Sequence, residues 1–274
     1  MQEKKYAMNI SKSLNKRFKG TLFSKFVKAV DEYRLIDDHD KICVALSGGK
    51  DSLVMAALFE EYKARVRRDI EIVYLTMNSG FKPSFLNNHL SNCEVINIHT
   101  EVVDSRIYEI ANHLNPKAPC FLCARMRRGF LYQQAKDMGC NKLALGHHFD
   151  DVIETTLINM FYTGTFKTML PKAKSKNFEG LELIRPMYLI KENDVEKFID
   201  YHEIRIDSKG CEFQDRNEDT KRKEMKQLIE QLRQIYKNID INIFRAAENI
   251  NLDSVLGYYD DEKRYTFQDK YQKK

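Results

Sequence analysis

The sequence predicts an α/β fold: a parallel sheet covered by helices on both faces, with a helical extension ahead of it. Three observations carry this. Short apolar runs alternate with segments of helical periodicity along most of the chain. The runs are apolar throughout rather than alternately polar, the mark of strands buried on both sides. The first run also passes into a helix through a glycine-rich turn, Ser47-Gly48-Gly49, as in a strand–turn–helix unit.

The chain opens with a basic segment. Leu14, Phe18, Leu22, Phe23, Phe26, Val27 and Val30 recur at helical spacing, which predicts one helix over 9–33. Lys12, Lys16, Arg17, Lys19, Lys25 and Lys28 lie among them, as a solvated face or as an RNA-facing side. Residues 1–38 are therefore expected to be a basic extension, 39–255 a nucleotide-binding α/β domain and 256–274 a polar, mobile tail. Strands are expected over 42–46, 70–77, 94–99, 142–145 and 181–187, the last ended by Pro186. Helices are expected over 192–201, 220–236 and 241–251.

Composition sets limits. With 274 residues, 43% hydrophobic and 31% charged, the chain can bury a sizeable core and is not of the disordered type. No apolar run approaches the ~18 residues of a membrane span. The N-terminal MQEKKYAMNISK has no apolar signal core, so a cytoplasmic protein without a membrane partner is expected. In that reducing setting six cysteines point to metal or redox chemistry rather than a disulfide framework. A net charge of +5 fits a nucleic-acid partner.

The most informative stretch is KICVALSGGKDSLVMAAL, residues 41–58. A helix that starts directly after a glycine-rich turn presents N–H groups without intrahelical partners, and these suit an anion. Lys50 adds a cation, and Ser47 and Ser52 add hydroxyl donors. Asp51 follows Lys50 where a Walker A loop would need Ser or Thr, so the loop is not of that kind. The run Ser47-Gly48-Gly49-Lys50-Asp51-Ser52 resembles the PP-loop of the N-type ATP pyrophosphatases. There the loop holds the pyrophosphate end of ATP while the α-phosphate is attacked. Residues 75–78, Leu75 to Asn78 with Met77, at the end of the second strand, are then expected near the adenine, and Gly146 ends the fourth strand.

Two further constellations carry chemistry. Cys120 and Cys123 form a C-x-x-C, a spacing that suits zinc, an iron–sulfur cluster or a redox pair. There is no second C-x-x-C and no H-x-x-x-H; Cys211 is the candidate third ligand, and three cysteines fit a cluster with one iron open. A helix with Met126, Phe130, Leu131 and Ala135 as its apolar stripe is expected to follow. Arg125, Arg127 and Arg128 crowd its first turns, where acids are preferred, so they are expected to answer to something negative such as phosphate. Cys43 and Cys140 read as small core residues, and Cys93, in a polar loop, has no assigned role. In NKLALGHHFDD, residues 141–151, Asp150 and Asp151 open a helix. They can cap it, hold Mg²⁺ or orient a nucleophile. His147 and His148 point in different directions and are not expected to bind one metal together. Lys167, Lys172, Lys174 and Lys176 form a basic loop suited to RNA.

With SGGKDS, PCFLCARMRRG, LGHHFDD, Cys211 and the TKRKEMK helix together, the chain resembles the tRNA 2-thiocytidine synthetase (TtcA-type) family of PP-loop enzymes. The resemblance implies a flavodoxin- or Rossmann-like ATP-binding domain of the adenine nucleotide α-hydrolase type. It implies adenylation of O2 of an anticodon-loop cytidine at position 32, with ATP and Mg²⁺, and then sulfur insertion through a 4Fe-4S cluster. Residue by residue, it implies ATP on Ser47–Ser52 with Leu75, Met77 and Gly146, and the cluster on Cys120, Cys123 and Cys211. Lys50, Asp51 and Asp151 would be catalytic, with Asp51 and Asp151 holding Mg²⁺. Arg125, Arg127, Arg128, Lys167 and Lys172 would bind tRNA. A cysteine desulfurase or free sulfide would supply sulfur, and a homodimer is allowed. Three other readings compete: a lysidine synthetase-like enzyme, a cluster-free persulfide enzyme and a non-enzymatic cluster-based redox sensor.

Overall fold

Phe18 breaks the first helix. The computed structural model describes residues 2–66, 68–115, 119–207 and 220–271, and of residues 2–8, 119–121, 124, 220 and 270 the backbone alone. Instead of one helix over 9–33, α1 (Gln2–Asn15) ends before Phe18. That ring turns inward against Phe198 and Tyr201, with centroids at 5.2 and 5.6 Å. A π-helical turn, Lys19–Phe23, then leads into α2 (Ser24–Glu32). The wider turn carries Leu22 and Phe23 into the core together. Lys12, Lys16, Arg17, Lys19 and Lys28 are exposed, while Lys25 pairs with Asp194 at 3.4 Å.

The alternation then begins: β1 (Lys41–Leu46), α3 (Lys50–Arg65), β2 (Glu71–Asn78), α4 (Pro83–Val95), β3 (Thr100–Asp104), α5 (Ile107–Leu114), α6 (Pro119–Asp137), β4 (Lys142–Ala144) and α7 (Phe149–Thr163). After it come β5 (Lys172–Lys174), β6 (Glu182–Ile184), α8 (Glu192–Tyr201), α9 (Thr220–Ile235), α10 (Ile239–Ala246), a 3₁₀ turn Leu252–Ser254, β7 (Gly257–Asp260), β8 (Lys263–Thr266) and α11 (Phe267–Tyr271). The main sheet runs β3-β2-β1-β4-β6-β5, parallel except for β5. Side chains of β1 alternate between its two faces. Ile42, Val44 and Leu46 join a cluster with residues of α1, α2, α3 and α8, while Cys43 and Ala45 join another with Ala135 of α6. Both faces are thus covered, as expected. β1 and β4 are neighbours although the strands β2 and β3 lie between them in the chain, and the gap between their carboxyl ends is the switch point where such sheets bind ligands.

Several boundaries differ from expectation. The strand expected over 94–99 is instead the end of α4 and a turn in which Asn97 has φ +59°. The true strand, β3, is a mostly exposed edge without an apolar run to announce it. Cys93 accordingly lies inside α4, buried, with Sγ 3.8 Å from Nε2 of His89. The helix after the C-x-x-C begins earlier than expected, at Pro119, and includes Cys120 and Cys123. Part of the basic loop is strand β5, and the strand expected over 181–187 is the shorter β6. The tail expected at 256–274 contains a hairpin, β7–β8, in which Tyr258 stacks on Tyr265 at 5.2 Å, and then α11.

Compact units do not divide at 38 or 255. One comprises residues 1–152 and 169–220, and includes the N-terminal helices and the whole main sheet; the other comprises 153–168 and 221–274. Within the second, Lys221 lies over the ring of Tyr162 at 4.7 Å, Arg222 approaches Glu154 at 3.7 Å, and Arg233 reaches Asp240 at 3.3 Å. No helix among the described residues is long and apolar enough to cross a membrane.

Candidate active site

Gly48 shapes the loop between β1 and α3. Its φ is +82°, a conformation that costs an L side chain strain, and Phe85 of α4 lies against its α-carbon. A Cβ there would come 2.5 Å from Phe85 Cζ. Ser52 closes the loop from the helix side: its Oγ accepts from Ser47 N at 3.1 Å and donates to Gly49 O at 2.9 Å. Gly49 is the N-cap of α3, and no side chain caps that helix. The N–H groups of Lys50, Asp51 and Ser52, on the first turn, have no intrahelical acceptor, the property that suits a helix start to an anion.

The loop borders a cleft of about 380 Å³ at the carboxyl ends of the central strands. Ser47, Asp51 and Ser52 line one side, and Gly146, His147 and Asp151, from β4 and α7, line the other. Gly146 lets the two sides meet, because a Cβ there would lie 3.2 Å from the backbone of Asp51 and Ser52. Met77 and Leu131 supply apolar lining, and Arg127 and Arg128 of α6 add positive charge.

The two carboxylates expected to hold Mg²⁺ both face this cleft. Asp151 also caps α7, accepting from His148 N at 2.9 Å while its own N–H donates to His148 Nδ1 at 3.4 Å. With Nδ1 accepting, the ring proton of a neutral His148 sits on Nε2, 3.8 Å from Asp51 Oδ1. Asp51 Oδ1 is buried and has no hydrogen-bond partner among the described residues, although the Lys50 ammonium is 3.4 Å away. Burial raises the Asp51 pKa and Asp151 raises it further, against the opposing pull of Lys50 and His148. An acceptor left open beside a second carboxylate, in a cleft suited to phosphates, fits a hard divalent cation that takes its other ligands from phosphate and water. Burial alone would lower the Lys50 pKa, but Asp51 and Glu192 outweigh it and hold the ammonium charged.

Other expected site residues divide. Leu75 lies below the cleft floor, fully buried in the core, and Met77 is the residue of that strand that reaches the lining. Arg125 is exposed, apart from the Arg127 and Arg128 pair. Lys167 is exposed. Lys172, expected to face RNA, is instead tied to Glu182 at 3.0 Å and donates to Arg34 O at 3.0 Å. Cys120 and Cys123 lie three positions apart near the start of α6, and Cys123 is half-buried. Two thiols so spaced fit a metal or cluster edge. Cys211 lies outside the described residues, and among the described residues no group of three or more His, Cys, Asp or Glu is placed to hold a metal. Glu192 was not foreseen: no local pattern announces that the first residue of α8 reaches Lys50 at 2.9 Å.

Comparison with known proteins identifies the family. A family model described as a PP-loop domain matches residues 18–210, starting inside the segment expected to be a separate extension. The tRNA-cytidine(32) 2-sulfurtransferase of Burkholderia multivorans is 37% identical over 238 residues, 84% of this chain and 70% of that protein. The enzyme of the same name from Syntrophotalea carbinolica is 35% identical over 227 residues, 81% of this chain and 86% of that one. Among solved structures, the U34-tRNA thiolase NcsA of Methanococcus maripaludis, with its 4Fe-4S cluster, aligns with a TM-score of 0.67 at 23% identity, over 82% of this chain and 76% of that one. That likeness speaks for the fold. The chain belongs to the PP-loop family and, within it, to the tRNA 2-thiocytidine synthetase group of sulfurtransferases.

Proposed function

We propose that the protein thiolates tRNA, replacing O2 of a cytidine at position 32 of the anticodon loop by sulfur at the expense of ATP. The observation that carries the reading is the cleft itself: an uncapped PP-loop helix on one side, and on the other Asp151 facing the open acceptor of Asp51. The relatives' names support tRNA and cytidine as substrates.

In this reading the pyrophosphate end of ATP rests on the N–H groups of residues 50–52, with Arg127 and Arg128 facing its charge. Mg²⁺ held by Asp51 and Asp151 would neutralise phosphate oxygens there. O2 of the cytidine attacks the α-phosphorus, the bond to the β-phosphate bridging oxygen breaks, and pyrophosphate leaves. A poor leaving group thereby becomes AMP. Hydrosulfide, either free or released by a thiol reductant from the persulfide of a cysteine desulfurase, then adds at C2, gives up its proton, and AMP departs with the original oxygen. A 4Fe-4S cluster on Cys120, Cys123 and Cys211 would supply an iron site able to hold sulfide. The C-x-x-C starts the helix that brings Arg127 and Arg128 to the cleft, which supports this pairing of cluster and nucleotide. A cytoplasmic location suits these substrates.

The test is mass spectrometry of tRNA nucleosides after reaction with anaerobically purified protein, beside Cys120→Ser, Cys123→Ser and Cys211→Ser. The reading expects 2-thiocytidine from the wild type and its loss in each variant, together with loss of visible absorbance. Undiminished activity in all three variants would favour a lysidine synthetase-like chemistry, and a colourless active wild type a persulfide one.

A further inference from the structure

The loop's only lysine does not rest on the loop. Lys50 Nζ lies 2.9 Å from Glu192 Oε1 and 3.4 Å from Asp51 Oδ1. Both members of the Lys50–Glu192 pair are largely withdrawn from solvent, with side chains 26% and 17% exposed. Glu192 is held by more than its own rotamer. Its backbone N–H donates to Asp150 Oδ2 at 2.7 Å, and Phe149 N–H donates to Ile190 O at 2.8 Å. The start of α7, which carries the cleft's second carboxylate, is thereby stitched to the start of α8. Behind it Val195, Phe198 and Ile199 anchor α8 in the same core as Leu53 and Val54 of α3.

A carboxylate fixed beside a phosphate-binding lysine has an electrostatic consequence. While Glu192 holds Lys50, the cation is aimed but neutralised. An incoming pyrophosphate group must either draw Lys50 away from Glu192 or accept a like charge nearby. We propose that Glu192 is a positioning residue that acts as an exchangeable counter-anion for Lys50: it orients the ammonium in the resting protein, gives it up to the pyrophosphate group, and by reclaiming it helps expel pyrophosphate after adenylation. This rests on the reading of the cleft as an ATP site. Ion pairs exchange without covalent change, so the step needs no further reactant.

Glu192→Gln separates aiming from competition. The amide keeps the shape and can still accept a hydrogen bond from Lys50, but it removes the competing charge. Calorimetric titration of the full-length protein with inorganic pyrophosphate and Mg²⁺ is expected to show binding tightened by about twofold to fivefold, the range for losing one partly screened like charge. The KM for ATP should fall with it, and kcat should fall as well, because pyrophosphate leaves more slowly. Glu192→Asp keeps the charge and should bind pyrophosphate as the wild type does. Equal or weaker pyrophosphate binding by Glu192→Gln, with an unchanged melting temperature, overturns the exchange role alone. Should the wild type bind neither ATP nor pyrophosphate, the exchange role and the nucleotide reading fall together.

Discussion

Gly48→Ala tests how the loop is held, because its cost has two separable parts. The first is conformational: at φ +82° an alanine pays about 1–2 kcal/mol that glycine does not. The second is steric. The new Cβ would stand 2.5 Å from Cζ and 2.7 Å from Cε1 of Phe85, closer than side chains come, so the ring must move. Phe85 is buried and packs on Phe81 at 4.8 Å, so it cannot swing to solvent, and overpacking of this kind costs about 1–3 kcal/mol. The single variant should therefore lose about 2–5 kcal/mol of stability. Phe85→Leu removes the ring atoms that clash. In the Phe85→Leu background Gly48→Ala should cost only the conformational part, about 1–2 kcal/mol, which leaves a coupling of about 1–3 kcal/mol between the sites. Urea unfolding of the four proteins gives the cycle, with m-values compared to check that the denatured states match. Costs that add to within about 0.5 kcal/mol would refute the contact between ring and loop.

Gly146→Ala presses on backbone rather than on a ring, since its Cβ would lie 3.2 Å from Asp51 C and Ser52 N. The two walls of the cleft must part, and pyrophosphate affinity by calorimetry should fall about tenfold, with about 1–2 kcal/mol lost in stability; unchanged affinity would show that the walls do not need this approach. His89 is buried, its Nε2 lies 2.8 Å from Thr76 Oγ1, and burial lowers its pKa. A histidine depressed in the folded state binds its proton more readily when unfolded, so its stabilising share is complete above the unfolded pKa of about 6.5 and is lost as pH falls below that toward the folded value. Urea midpoints at neutral and mildly acidic pH should therefore diverge less in His89→Gln than in the wild type, although His202, also depressed by burial, keeps some slope in both; parallel slopes would contradict the assignment.

Local features of the chain were legible where short-range periodicity is enough. β1, the loop and the start of α3 lie where the apolar run, the two glycines and Asp51 indicate, and α8 begins and ends at the expected residues. The backbone course of these segments follows from residues within a few positions of one another. β3 escaped notice because an exposed edge strand carries no buried run, and the break at Phe18 because the partners that draw its ring inward, Phe198 and Tyr201, lie far along the chain.

By itself the sequence determined the fold class, the anion-binding turn and the identity of both cleft carboxylates, because a parallel α/β sheet brings the carboxyl ends of its strands to one edge whatever the details. Which groups meet at that edge was decided by tertiary structure. The β1–β4 adjacency brings Gly146 against Asp51 and Ser52, the seating of α6 selects Arg127 and Arg128 over Arg125, and the stitching of α7 to α8 gives Lys50 a partner 142 residues away. Sequence spacing carries no record of such pairs, since charge and hydrogen bonding act across space and only the packed chain sets those distances.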